Sequence, residues 1–253
     1  MNQIARIAAD CSYLYQPRIH GPSDLWYSLY VVGHSHAKRM HQFFAYGDAD
    51  REHESHCSTA PVNAAAPSPH FGTDRCVYYD ARGGLKMKDC EQYVNDAPEH
   101  HASVLWIGEN DWFRPSIPEM SDSLSAASAI LRLASILAEK SRIGTIVMPL
   151  LPHPGDDEYN KWAGEINDNL RQMLSTRRRT QGGLWERVYF MVVDGQARLS
   201  MSSWMVVPDS RVHRFRGAVE DIHLSSWGYH YVTRRLATHL AKLYANFQAR
   251  YLH

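Results

Sequence analysis

Five short apolar runs, most closed by glycine or by a knot of polar residues, limit what this chain can become. They lie at Leu29–Val32, Val77–Tyr79, Ser103–Ile107, Gly144–Met148 and Val188–Val193. The run Val104-Leu105-Trp106-Ile107 is unbroken by polar residues, as expected of a strand buried on both faces of a parallel sheet. Helical patterns fall between the runs. Met40, Phe43 and Phe44 share one helical face. A helix opened by Ser121 as its cap would turn Leu124, Ala127, Leu131, Ala134 and Ile136 inward. Another is expected from about Glu158 to Leu174, and a last one carries Tyr229, Val232, Leu236, Leu240 and Leu243 along one side. Strand–helix alternation of this kind predicts an α/β fold, an open parallel sheet of about five strands covered on both faces. Right-handed crossovers then gather the carboxyl ends of the strands on one edge, where such folds place their sites.

Length and composition suit one domain over residues 1–253, with an irregular lead-in (1–24, Trp26 and Tyr27 then beginning the first strand) and a loop insertion at 47–75. The chain is 44% hydrophobic and 21% charged, with formal net charge +0. That balance gives no sign of a nucleic-acid partner, and no stretch has the roughly 20 apolar residues of a membrane span. The first ten residues lack the apolar core of a signal peptide, and four cysteines are too few for a disulfide scaffold. A reduced, cytoplasmic protein is the expectation. His53, His56, Cys57, His70 and Cys76 in and beside the loop match no standard zinc spacing, so a polar loop is the plainer reading and no metal is expected.

Several residues with chemistry to offer fall at or just beyond predicted strand ends. Gly33-His34-Ser35-His36 follows the first run, and its serine is either a helix cap or a nucleophile beside the N–H groups of a helix start. Gly83-Gly84 follows the second, as a tight turn or as backbone that approaches a ligand. Glu109-Asn110-Asp111 follows the third, and Glu220-Asp221-Ile222-His223 precedes the last helix. Trp112 and Phe113 suit either an apolar wall or the core, and Ser202-Ser203-Trp204-Met205 a pocket wall. Arg177-Arg178-Arg179 reads as a solvated helix end with favourable dipole placement.

In order, these blocks resemble those of the SGNH hydrolase (GDSL-type esterase/lipase) superfamily, over nearly the whole chain from Gly33 to the final helix. Gly33-His34-Ser35 resembles the first block, Gly83-Gly84 the second, Gly108-Glu109-Asn110-Asp111 the Gly-x-Asn-Asp block, and residues 220–224 with Gly228 and Tyr229 the last. The resemblance implies a flavodoxin-like three-layer α/β/α sandwich of about five parallel strands. It implies a serine esterase working through an acyl-enzyme on a small-molecule carboxylic ester, with no cofactor. Ser35 would be the nucleophile and His223 the base. Ser35, Gly84 and Asn110 would line the oxyanion hole. The chain departs from the pattern twice. His34 replaces the usual aspartate, and Glu220 stands at the acid's usual offset from His223 with Asp221 one residue closer. Glu220 is favoured by spacing, Asp221 is the second choice, and a Ser–His dyad steadied by a backbone carbonyl is a third.

Two other readings stay open at this point. Gly-His-Ser-His-Ala approaches the nucleophile elbow of the α/β-hydrolases, although too few strands precede it. A catalytically silent domain could also bind a ligand or partner through the same edge, and a related possibility is an esterase-like domain from a mobile element or larger polyprotein.

Overall fold

A computed structural model describes residues 28–38, 40, 76–113, 122–153 and 156–192, together with Leu224 and isolated positions between 232 and 249. The strands are β1 (Ser28–Gly33), β2 (Cys76–Ala81), β3 (His100–Trp106), β4 (Ser141–Val147) and β5 (Val188–Phe190). All four pairings are parallel, in the order β2-β1-β3-β4-β5. The central apolar runs form strands because the sheet buries both of their faces. Tyr30, Val32 and Leu105 enter one cluster, and Val31, Val104 and Trp106 enter another.

The first cluster is roofed by α1 (Met87–Asp96), α3 (Ser123–Lys140) and α4 (Asp157–Gln181). A short helix, α2 (Glu109–Phe113), follows β3. Ala37 and Met40 cover the opposite face with Leu224, Val232, Leu236 and Leu243. The expected layered arrangement is therefore present, and the helical signal at Val232, Leu236 and Leu243 was read from the right residues.

The differences from expectation have local causes. Helix α1 has no counterpart in the sequence reading, because its inward residues Met87, Cys90 and Val94 are spaced among lysine and acidic residues. Strand β3 starts at His100, ahead of the apolar run. That ring is buried, stacks on Tyr30 at 5.4 Å and donates through Nδ1 to Pro98 O at 2.7 Å, which lets a histidine open a buried strand. The cap of α3 is Asp122 rather than Ser121: its carboxylate accepts from Ser125 N at 2.8 Å. Leu124, one position into the first turn, is 54% exposed, and Ile136 is only partly buried.

Helix α4 continues to Gln181, through the arginines expected at its solvated end. Arg177 lies over Trp185 at 4.3 Å and Arg178 over Tyr189 at 5.0 Å. Arg178 also donates to the carbonyls of Trp185 and Val188, so two of the three arginines pack. Strand β5 keeps three residues of the expected six, and Val192 beyond it is 40% exposed.

Gly33 is required by close approach. It stands opposite both Ala81 and Trp106, and a methyl there would lie 2.1 Å from the Trp106 carbonyl oxygen. Backbone meets backbone at this point, so neither side can swing away. Gly33→Ala is expected to cost about 1–3 kcal/mol or more, the usual range for overpacking. The measurement is the urea midpoint, which should fall with the slope unchanged.

Candidate functional site

Strand order brings the first three predicted blocks together. β1 sits between β2 and β3, so the loops after all three meet at one edge. The sequence order reverses between β1 and β3, which makes a crevice at the carboxyl ends of the strands.

Residues 35–38 are helical, and Lys38 N donates to His34 O at 3.1 Å. His34 is therefore the cap of this helical start, and its Nδ1 accepts from His36 N at 3.4 Å. Ser35 is the first residue inside. Its N–H is one of the first-turn donors that have no acceptor within their own helix. A serine there is not needed as a cap, and its side chain is half-buried at the crevice.

Gly84 lies in a four-residue turn closed by Leu85 N to Arg82 O at 3.2 Å. Its φ of 75° at the third position is the geometry that selects glycine in a type II turn. No atom lies within 4 Å of where its Cβ would be, so conformation rather than space requires the glycine. Arg82 N donates to Gly33 O at 3.0 Å, tying this turn to the end of β1.

Two residues of α2 grip the same segment. Asn110 Nδ2 donates to Leu85 O at 3.0 Å, and the buried Asp111 carboxylate accepts from Met87 N at 3.0 Å. Lys86, the cap residue of α1, makes no side-chain capping bond, so Asp111 supplies the cap from another element. This gives the Asn-Asp pair a physical reason: one residue fixes the chain just after Gly84, and the other fixes the helix that follows. An amide nitrogen carries two hydrogens, so Asn110 keeps a second donor besides the one Leu85 occupies. Beside Gly84 opens a cleft of about 530 Å³ lined by Arg82, Lys88, Asp89, Gln92 and Tyr93.

Beneath these loops lies a charged cluster that the sequence reading missed. The buried Glu109 carboxylate faces three buried imidazoles. Its Oε2 is 3.1 Å from His36 Nε2, 3.8 Å from His34 Nε2 and 3.9 Å from His153 Nε2. Burial acts to raise the Glu109 pKa. The charges of His36 and His34 and hydrogen bonds from His153 and His36 outweigh it and hold the carboxyl well below its ordinary value. For His34, burial dominates over the attraction of Glu109 and pushes its pKa down to about 4. Two histidines flanking one serine, with a glutamate in the variable position of Gly-x-Asn-Asp, were the available signal.

His223, Glu220 and Asp221 lie outside the described residues, as do the loop at 47–75, its four histidine and cysteine candidates and Ser202–Met205. Leu224, next in sequence to His223, is buried in the cluster that holds Ala37 and Met40. Trp112 packs with Tyr159 and Trp162 in the first cluster, at ring separations of 6.1 and 5.3 Å, so it serves the core. Among the described residues, no group of three or more His, Cys, Asp or Glu side chains is arranged to hold a metal ion, and no helix is long and apolar enough to cross a membrane.

A parallel sheet in this order, with its polar crevice between β1 and β3, defines an open α/β fold with a topological switch point. Solved structures narrow it further, to the SGNH hydrolase fold. The chain is similar to a GDSL-like lipase from Bacteroides thetaiotaomicron, at 13% identity over 95% of this chain and 98% of that one, with a TM-score of 0.52. It is similar to a catalytic mutant of an acetylxylan esterase from Geobacillus stearothermophilus, at 15% identity over 86% and 94%, with a TM-score of 0.51. A third likeness is to an α/β hydrolase enzyme from the metagenome of Lake Arreo, at 13% identity over 86% and 96%, TM-score 0.51. At these identities the likeness is one of fold. No family model matches the sequence, and no curated protein matches it.

Proposed function

We propose that this protein is a serine esterase acting on a small-molecule carboxylic ester. The observation that carries the reading is the convergence at one edge of a first-turn serine, a positive-φ glycine turn and an asparagine bonded to that turn. The likeness in fold to solved lipase and esterase structures supports it.

Ser35 Oγ attacks the ester carbonyl while His223 takes its proton, and a tetrahedral oxyanion forms. The N–H groups of Ser35 and Gly84 and the second hydrogen of Asn110 Nδ2 receive that charge. Collapse expels the alcohol, protonated by His223, and leaves an acyl group on Ser35. Water, deprotonated by His223, then releases the acid. Glu220, by its spacing, or Asp221 holds the imidazole tautomer.

A fluorophosphonate probe tests this directly. Covalent labelling is expected on Ser35 of the intact protein, located by mass spectrometry of the labelled peptide, and absent from Ser35→Ala. An unlabelled native protein would favour a silent binding domain instead.

A further inference from the structure

Three members of the buried cluster adjoin a residue of the crevice in sequence and the fourth faces them through Glu109, yet none of the four has a part in the chemistry above. His34 and His36 flank Ser35, and Glu109 precedes Asn110. His153 belongs to the loop after β4, and α4 fixes that loop in place. Asn160 bonds both backbone groups of His153, accepting from its N at 2.6 Å and donating to its O at 2.7 Å. Asn167 does the same for Leu150, at 3.0 and 2.9 Å. The His153 ring stacks on Tyr159 at 3.7 Å, and the His36 ring stacks on Trp106 at 5.0 Å. The imidazoles are thus presented from rigid elements, and the carboxylate lies where they meet.

We propose that Glu109 is the positioning residue of this site: its carboxylate ties the turn of Ser35, the helix of Asn110 and the loop after β4 into one unit, and so sets the aim of the Ser35 hydroxyl. The inference rests on the reading of Ser35 as nucleophile. Glu109 Oε1 accepts from Leu151 N at 3.3 Å, and Oε2 faces the imidazoles from both sides of Ser35. A carboxylate offers acceptors only, so ring N–H groups can turn to it from either flank at once. Removing the charge while keeping the shape, as in Glu109→Gln, puts an amide nitrogen into this ring of imidazoles. One oxygen then has to serve both the Leu151 N–H and the histidines. His36 loses the carboxylate 3.1 Å from its Nε2 and His34 the charge 3.8 Å from its own, and with them goes the constraint on the residue between them.

Displacement of a reacting group by about 1 Å can cost 100-fold in rate, and loss of an orienting partner typically costs about 10- to 100-fold. The test is active-site labelling with the fluorophosphonate, which reads two quantities separately: the fraction of sites labelled and the rate constant for labelling. A positioning role predicts that Glu109→Gln keeps its full labelled fraction while the rate constant falls about 10- to 100-fold. A merely structural role predicts a reduced fraction with the rate per site unchanged, and that result overturns the proposal. So does an unchanged rate at full labelling. Should Glu109→Gln not fold, His36→Gln decides the matter in the same assay, a slowed rate supporting the proposal and a native rate overturning it. A native protein that never labels would instead overturn the esterase reading, and this inference with it. Native labelling with an unslowed variant overturns this inference alone.

Discussion

Ester turnover by Ser35→Ala is expected to fall about 10⁴-fold or more, with the melting temperature within a few degrees of the parent. Ser35 is half-buried at the crevice and is not the cap of its helix, so removing the hydroxyl leaves the fold's capping intact. The loss should therefore lie in chemistry. Removing a nucleophile from a group of residues that act as one typically costs about as much as removing them all. His223→Ala should consequently match Ser35→Ala, and the double variant should add little. Asn110→Ala should behave differently, because the proposed site keeps two oxyanion donors. A loss of about 10²–10³ in turnover is the usual cost of one donor. Asn110 also holds Leu85 O, so part of that loss reports a displaced Gly84. Initial rates with p-nitrophenyl esters of increasing acyl length, beside a panel of sugar acetates, read all four proteins. Ser35→Ala retaining native turnover would sink the assignment.

Acidification should destabilise the fold well before the carboxylates titrate. His34 is buried with a pKa pushed down to about 4, against 6.5 in the open chain. Between those values the unfolded state binds a proton that the folded state does not, so stability falls as pH falls. The interval amounts to about 3 kcal/mol when fully expressed, at about 1.4 kcal/mol per unit. His100 and His101 add in the same direction, each lowered chiefly by burial. Glu109, held well below 4.5, extends the loss to more acid conditions, because the unfolded carboxyl protonates first. Urea midpoints between pH 7 and 4.5 measure the slope. His34→Gln should flatten it by about one proton's worth, and an unaltered slope would show that His34 does not titrate in this way.

Much of the fold was legible because the sheet buries both faces. A strand such as β3 must then be apolar without interruption, and that pattern stands out in a sequence. The edge blocks were legible for a related reason: glycine and polar residues just after a strand break the apolar run abruptly. What escaped was anything whose partner lies far away in sequence. Helix α1 takes its cap from Asp111, so no local capping signal marks its start. His100 looks unsuited to a strand until Tyr30, seventy positions earlier, is set beside it. The arginines of α4 look solvated until Trp185 and Tyr189 fold back beneath them. Glu109 reads as a filler residue in a short motif, and only the folded chain gathers three imidazoles around it.

Those same arginines bear on how copies of this molecule behave in crowded solution. Among the described residues β5 forms one margin of the sheet, spans three residues, and has the Val188 carbonyl already taken by Arg178. A margin this short, with guanidinium groups laid across it, offers little for a foreign strand to zip onto. Trimming Arg178 would uncover that acceptor, and a tendency to aggregate through this side is the price the substitution should carry.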